Sequence, residues 1–256
     1  MISNSSIEPT HSPLHQSDRP TQPSSAPEGV PIAAPGKDPQ ITAQTDAKPS
    51  PPASAFLVPS FQYVPSIPCT PSAVELFLKA FVLPSRLHQS HERLTRKEQN
   101  ILKRQPELQS SFPGARKADE ILILICGHGG RDSRCGTFGP ILRDEFKEKL
   151  QRQNVALLEE APVAEAEVID TEKEGYVPTA RVAMVSHMGG HKWAGNVGIY
   201  IPESWKMHPL AGKGVWYGRV DPAKVEGIVG ETVLKGRVIK DLFRGGVGQD
   251  GEVLRL

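Results

Sequence analysis

Four side chains stand out for the chemistry they could do. Cys126 and Cys135 share one glycine-rich loop, and His187 and His191 share another. The first loop lies in EILILICGHGGRDSRCGTFG at 120–139, with eight residues between its thiols. The second, SHMGGHKWAGN at 186–196, has three residues between its imidazoles. Thiolate sulfur and imidazole nitrogen both ligate zinc, so a structural Cys2His2 site is one reading. The thiol spacing departs from the Cys-x-x-Cys of a redox dithiol. A thiol oxidoreductase with a single Cys nucleophile and a His base uses one member of each pair and leaves the others idle. The plainest reading makes all four ordinary loop residues beside a core.

Elements of definite type must position these loops. Residues 121–125 form a short apolar run, rich in β-branched side chains and bounded by glycine, which predicts a buried strand. The thiols then sit at its C-terminal end, where open α/β sheets place their sites. Residues 181–185 predict a second strand leading into the His loop, and 197–201 (VGIYI) a third, with these two expected to form an antiparallel pair. From Pro140 to Gln153 apolar residues recur at helical spacing, which predicts an amphipathic helix beginning just after Cys135. Its positive dipole end would favour a thiolate there. Further strands are expected at 155–158 and 215–220, and a helix at 223–235 behind Asp221 and Pro222. Alternating strands and helices argue for an α/β fold.

Composition sets the outer limits. Thirty Lys and Arg against 29 Asp and Glu give a net charge of +1, which favours no partner of either sign. The basic stretch at 85–112 is interleaved with Glu92, Glu98 and Glu107, so it reads as a solvated helical face carrying His88 and His91, without a nucleic-acid role. No apolar run approaches the roughly 20 residues of a spanning helix. Cys69 reads as a plain thiol and His208 as a plain loop residue. Fifteen of the 24 prolines lie at or before Pro71. Residues 1–55, rich in Pro and Ser, are therefore expected to be a disordered extension. Residues 56–118 follow as a short helical and strand region, with Thr70 as N-cap and Pro71 opening a helix, and 119–250 form the main domain. Arg19 is outnumbered by Glu8, Asp18 and Glu28, which makes the start a poor transit peptide.

Four segments in the same order, CGHGGRDSRCG (126–136), SHMGGHKWAGNV (186–197), GVWYGRV (214–220) and DLFRGG (241–246), resemble the sucrase/ferredoxin-like family. The likeness is to its fungal branch of thioredoxin-like ferredoxins. The resemblance implies a thioredoxin-like domain holding a 2Fe-2S cluster, with Cys126 and Cys135 on the inner iron and His187 and His191 on the outer. Trp216 would support the His pair, and His128 would stand beside the cluster without ligating it. Arg131 and Arg134 would either donate to sulfur or be solvated. The implied role is electron transfer coupled to protons, in mitochondrial redox or iron–sulfur homeostasis, with an unidentified redox partner protein and no enzymatic bond-breaking. Two neutral imidazoles in place of thiolates raise such a centre from roughly −400 mV toward about −150 to +300 mV. Longer family members carry a further N-terminal thioredoxin-like half that has no counterpart in residues 1–118, so either Met1 is expected to be an internal start or the sequence to be truncated. The mitochondrial address then rests on the resemblance, with the cytoplasm as the alternative.

Overall fold

The computed structural model describes residues 2–3, 51–160, 177–249 and 251–255. Most of the extension expected to be disordered, and the centre of the acidic 154–180 stretch, lie outside the described residues. In chain order, β1 (Ile2–Ser3), β2 (Ala53–Leu57) and β3 (Gln62–Ile67) begin an antiparallel sheet. The helix α1 (Pro71–Phe77), continued by a π-helical stretch at Leu78–Val82, and the short α2 (Arg96–Ile101) follow before β4 (Arg116–Lys117) completes that sheet. Thr70 caps α1 by accepting the Ala73 N–H at 3.3 Å, and Pro71 occupies the first turn, where its missing donor is no loss. The strand part of the region expected from residue 56 is thus a hairpin of β2 and β3.

The second sheet starts with β5 (Ile121–Cys126) and continues through α3 (Ser133–Arg152), β6 (Ala156–Leu157) and β7 (Thr179–Val185). Next come β8 (Val197–Ile201), β9 (Lys213–Tyr217) and α4 (Pro222–Ile228), the last prolonged as a π-helix over Val229–Leu234. Two further strands, β10 (Phe243–Gly248) and β11 (Val253–Leu254), have no counterpart in the sequence expectations. The sheet order is β11-β10-β9-β8-β5-β7-β6. Strand β5 pairs in parallel with β7 and antiparallel with β8, which pairs antiparallel with β9. A βαβ unit followed by a ββα unit around a shared central strand is a thioredoxin-like arrangement, and the class is mixed α/β. The strands flanking the His loop run in opposite directions, but they do not pair: β5 lies between them. Each satisfies its ladder on β5, and the loop spans the width of that strand.

The two-residue period of β5 divides the interior. Ile121, Ile123 and Ile125 face a core with Leu142, Phe146 and Leu150 of α3 and Val225, Ile228 and Val229 of the α4 region. Leu122, Leu124 and Cys126 face the opposite side, where they meet Phe56, Val58, Phe61 and Tyr63. Burying each of these large apolar side chains contributes roughly 1.5–3 kcal/mol. The hairpin alternates likewise, with Ala55 and Leu57 turned toward Phe77, Phe81 and Phe112. Helices, large sheet, small sheet and α1 are therefore stacked, and Cys126 lies between the two sheets.

Two local differences from expectation have clear causes. Asp132, in extended conformation, caps α3 by accepting the Arg134 N–H at 3.0 Å, so the helix begins seven residues before Pro140 and carries that proline inside it. His208 is buried, and its Nε2 lies 3.0 Å from the Val233 carbonyl while Nδ1 accepts the Leu210 N–H at 3.1 Å. It braces the loop after β8 against the end of α4, a structural duty that its sequence surroundings do not advertise.

Candidate metal centre

The thiols come together because β5 ends where three segments meet. The Cys126 N–H donates to the Asn196 carbonyl at 3.1 Å, extending the β8 ladder, and the Gly127 N–H donates to Val185 at 3.0 Å, extending the β7 ladder. The chain then doubles back through Gly129, whose Cα lies so near Gly136 that a Cβ on Gly136 would come within 2.6 Å of it. Asp132 starts α3 immediately, which places Cys135 in the first helical turn. Both thiols are buried in one cluster, with the Gly195 backbone beside Cys135. Burial pushes the Cys135 thiol up to about 11, helped by the hydrogen bond and negative charge of Cys126 and by the Asp132 carboxylate. A Cys135 thiol so placed stays protonated near neutral pH unless a cation joins it. A ferric ion or zinc ion supplies that charge, so the donor set fits a metal.

The imidazoles are arranged differently. His187 is exposed and His191 partly so, with ring centroids 5.3 Å apart and planes tilted by 37°. Between them Met188 turns inward and packs in the same cluster as Cys126 and Cys135. Gly189, at φ +69°, sits against Asn196, where a Cβ would fall 2.8 Å from Oδ1. Asn196 also donates through Nδ2 to the Gly190 carbonyl at 3.3 Å. One residue thus holds the His loop through its side chain and Cys126 through its backbone.

The four sequence candidates form two close pairs at one end of the sheet, the thiols inside and the imidazoles outside. Among the described residues, no three or more His, Cys, Asp or Glu side chains are grouped to hold a single ion. His128 stands edge-on to His187 with ring centroids 5.7 Å apart, and its buried Nδ1 has no hydrogen-bond partner. Arg131 and Arg134 are exposed, as the solvated reading has them, and neither donates to sulfur. Arg131 Nε donates to His191 Nε2 at 3.3 Å, and Arg134 donates to the His191 carbonyl at 3.0 Å and pairs with Asp132 at 2.9 Å. Asp132 Oδ2 lies 3.6 Å from His191 Nδ1, so both nitrogens of that ring have a neighbour that ligation would displace. The Arg134 guanidinium holds Asp132 down to about 2. Trp216 donates to the Tyr200 hydroxyl at 2.8 Å and packs behind the thiols. Sequence reasoning missed Asp132, Asn196 and Trp193; an Asp three residues before Cys135 is itself a cap signal. Cys69 is exposed and far from the others in sequence, and His88 and His91 are surface residues.

A thioredoxin-like scaffold with a buried thiol pair and an exposed imidazole pair is the setting for the family assignment. The sucrase/ferredoxin-like profile matches residues 1–245, and the chain belongs to that family. It is 44% identical over 126 residues to altered inheritance of mitochondria protein 32 of Debaryomyces hansenii, covering 49% of this chain and 36% of that protein. Its counterpart in Meyerozyma guilliermondii is 39% identical over 150 residues, covering 58% and 43%. Actin patches distal protein 1 of Saccharomyces cerevisiae is 32% identical over 116 residues, covering 45% and 30%. The matches thus span less than half the length of these relatives. Among solved structures, a thioredoxin-like [2Fe-2S] ferredoxin from Aquifex aeolicus aligns at TM-score 0.32 and 19% identity, covering 49% of this chain and 91% of that one.

Proposed function

We propose that this chain is an electron carrier built around a 2Fe-2S cluster, with Cys126 and Cys135 on the inner iron and His187 and His191 on the outer. The observation that carries the reading is the sorting of the candidates into a buried thiol pair and a separate exposed imidazole pair. Zinc needs four ligands around one point, whereas a binuclear cluster needs two on each iron. When bound, the cluster supplies one-electron exchange at a potential that imidazole ligation raises above that of an all-thiolate centre.

The protein's part is to hold, exclude and tune. The sheet-to-sheet core keeps water from the thiols, and the Gly195 backbone beside Cys135 lowers the thiol's pKa, an environment that favours electron-rich sulfur. The exposed imidazoles form the short path to a partner, and a ring nitrogen facing solvent can hold a proton as charge changes. A redox partner protein and a role in redox or iron–sulfur homeostasis are part of the proposal, and its mitochondrial setting is supported by the relatives named altered inheritance of mitochondria protein 32. Anaerobic absorption spectra before and after dithionite, with metal analysis of the same sample, test it. About two irons per chain and visible bands that bleach on reduction are expected. A colourless protein with one zinc would replace it with a structural zinc domain.

A further inference from the structure

The rim of the His loop carries a concentration of positive charge that the cluster reading leaves unused. Trp193 ends the short helical turn His191–Trp193, and two guanidiniums stack on its indole: Arg244 at 3.5 Å and Arg219 at 4.2 Å from the ring centre. Lys192 lies 5.5 Å from the same ring, and Arg131 touches His191 on the other side. Among the described residues none of these four cations has a carboxylate within ion-pairing distance. Of the acids near the His loop, Asp132 is taken by Arg134 and Asp221 by Lys224. In a chain of net charge +1 this is a marked local excess.

Backbone irregularities build the stack. Arg219 adopts φ +57°, a left-handed conformation that disfavours a residue with a Cβ. Its N–H donates to the Trp193 carbonyl at 3.3 Å, and the next N–H, of Val220, donates to Gly195 at 3.1 Å. Arg244 occupies the point where the register between β9 and β10 shifts, and such bulges re-aim side chains. Gly218 leaves the room required, since a Cβ there would sit 3.1 Å from Trp193 Cβ and 3.2 Å from Arg244 Cγ. Partial burial and the Arg219 charge lower the Arg244 pKa, as expected where like charges are crowded without a counterion.

We infer that Trp193, Arg219 and Arg244, flanked by Lys192 and Arg131, form the docking surface for an acidic protein. Trp and Arg are among the side chains most enriched in binding hot spots, here a half-buried Trp193 under exposed Arg219 and Arg244, and pre-stacked guanidiniums surrender little freedom on binding. The cations come from separate segments spread around the His loop, which suits a broad carboxylate-rich surface better than a small anion. The inference deepens the proposed function, because a partner seated there lies against His187 and His191.

The probe is poly-L-glutamate, titrated into the full chain by calorimetry at rising salt, with iron content measured on every sample. Binding should weaken steeply with salt. The double variant Arg219→Gln/Arg244→Gln should bind about tenfold more weakly, for two charge pairs lost. Lys97→Gln, which removes one charge from α2, should match wild type, and Arg244→Lys should restore most of the loss in a folded protein. Equal binding by wild type and the double variant would overturn the inference, as would displacement of the polymer by equimolar inorganic phosphate. Binding needs no iron, so an iron-free protein that still discriminates refutes the cluster and leaves the surface standing. A loaded protein that does not discriminate refutes the surface alone. Electron exchange with reduced flavodoxin, an acidic carrier, should slow about tenfold in the loaded double variant.

Discussion

Gly195 tests most directly how the scaffold holds its ligands. It lies at φ +87°, and an added Cβ would approach the Val220 carbonyl oxygen to 2.4 Å and its nitrogen to 2.8 Å. Both obstacles are backbone, so no rotamer change relieves them. Gly195→Ala therefore incurs about 1–2 kcal/mol for the left-handed conformation. Moving the 218–220 segment adds about 1–3 kcal/mol, as overpacking does. The sum, roughly 2–5 kcal/mol, is a large part of a domain's stability. The same residue lies beside Cys135, and its neighbour Asn196 accepts from Cys126, so the shift disturbs both thiols. Gly227, in α4, has nothing within 4 Å of an added Cβ, and Gly227→Ala should stabilise by about 0.5–1 kcal/mol. Urea unfolding of both variants, with iron per chain measured before denaturation, is the assay. Gly195→Ala should lose stability and iron together. Wild-type iron content and midpoint in that variant would refute the account of how the His loop grips the thiols.

Three further outcomes are expected. In the folded, metal-free chain at pH 8, about one Cys135 thiol in a thousand is ionised, since its pKa stands at about 11; peptide mapping after brief iodoacetamide treatment should find label at exposed Cys69 and almost none at Cys135, and equal labelling would contradict the buried pair. His208 is depressed by burial, only partly offset by its bond to Val233, so its folded pKa lies below the unfolded value of about 6.5. Stability from this residue is present above that pH and lost as pH falls toward the folded pKa, with a slope of at most about 1.4 kcal/mol per unit. His208→Gln should flatten urea stability between pH 7 and 5 (taken as about one residue's share), and an unchanged slope would assign the acid response elsewhere. His191→Cys should keep visible absorption while lowering the midpoint potential toward the all-thiolate range. A potential unmoved in a redox titration would remove His191 from the outer iron.

What the sequence reveals depends on how local the cause is. Strands at 121–126 and 197–201 are short apolar runs rich in Ile and Val with no competing pattern, and Thr70 with Pro71 states its cap outright. The start of α3 is hidden because Pro140 imitates a first-turn proline, while the real cap, Asp132, stands among glycines and arginines that read as loop. Pairing is less legible than existence, for a strand's neighbour is chosen by the whole sheet. So β7 and β8 read as partners although β5 separates them. The glycines of β10 conceal it, since Phe243–Gly248 has neither alternation nor a turn at its start. For the site, Cys126, Cys135, His187 and His191 can be found by type, and their proximity follows from strand ends. The Trp193 stack could not be anticipated, because its arginines lie in distant segments and are aimed by a positive φ and a bulge.

The seven-stranded sheet ends at both sides in two-residue strands, β6 and β11. An outer strand offers unpaired amides and carbonyls to any passing chain, and shortness is one way proteins blunt that hazard. Here β11 also shields β10, pairing Val253 with Val247 and Leu254 with Gly246. These few residues thus act as a selvedge, keeping a six-residue strand from recruiting copies of itself. A tag or truncation that removes Val253 and Leu254 would leave the ligands untouched yet favour fibrils or soluble aggregates.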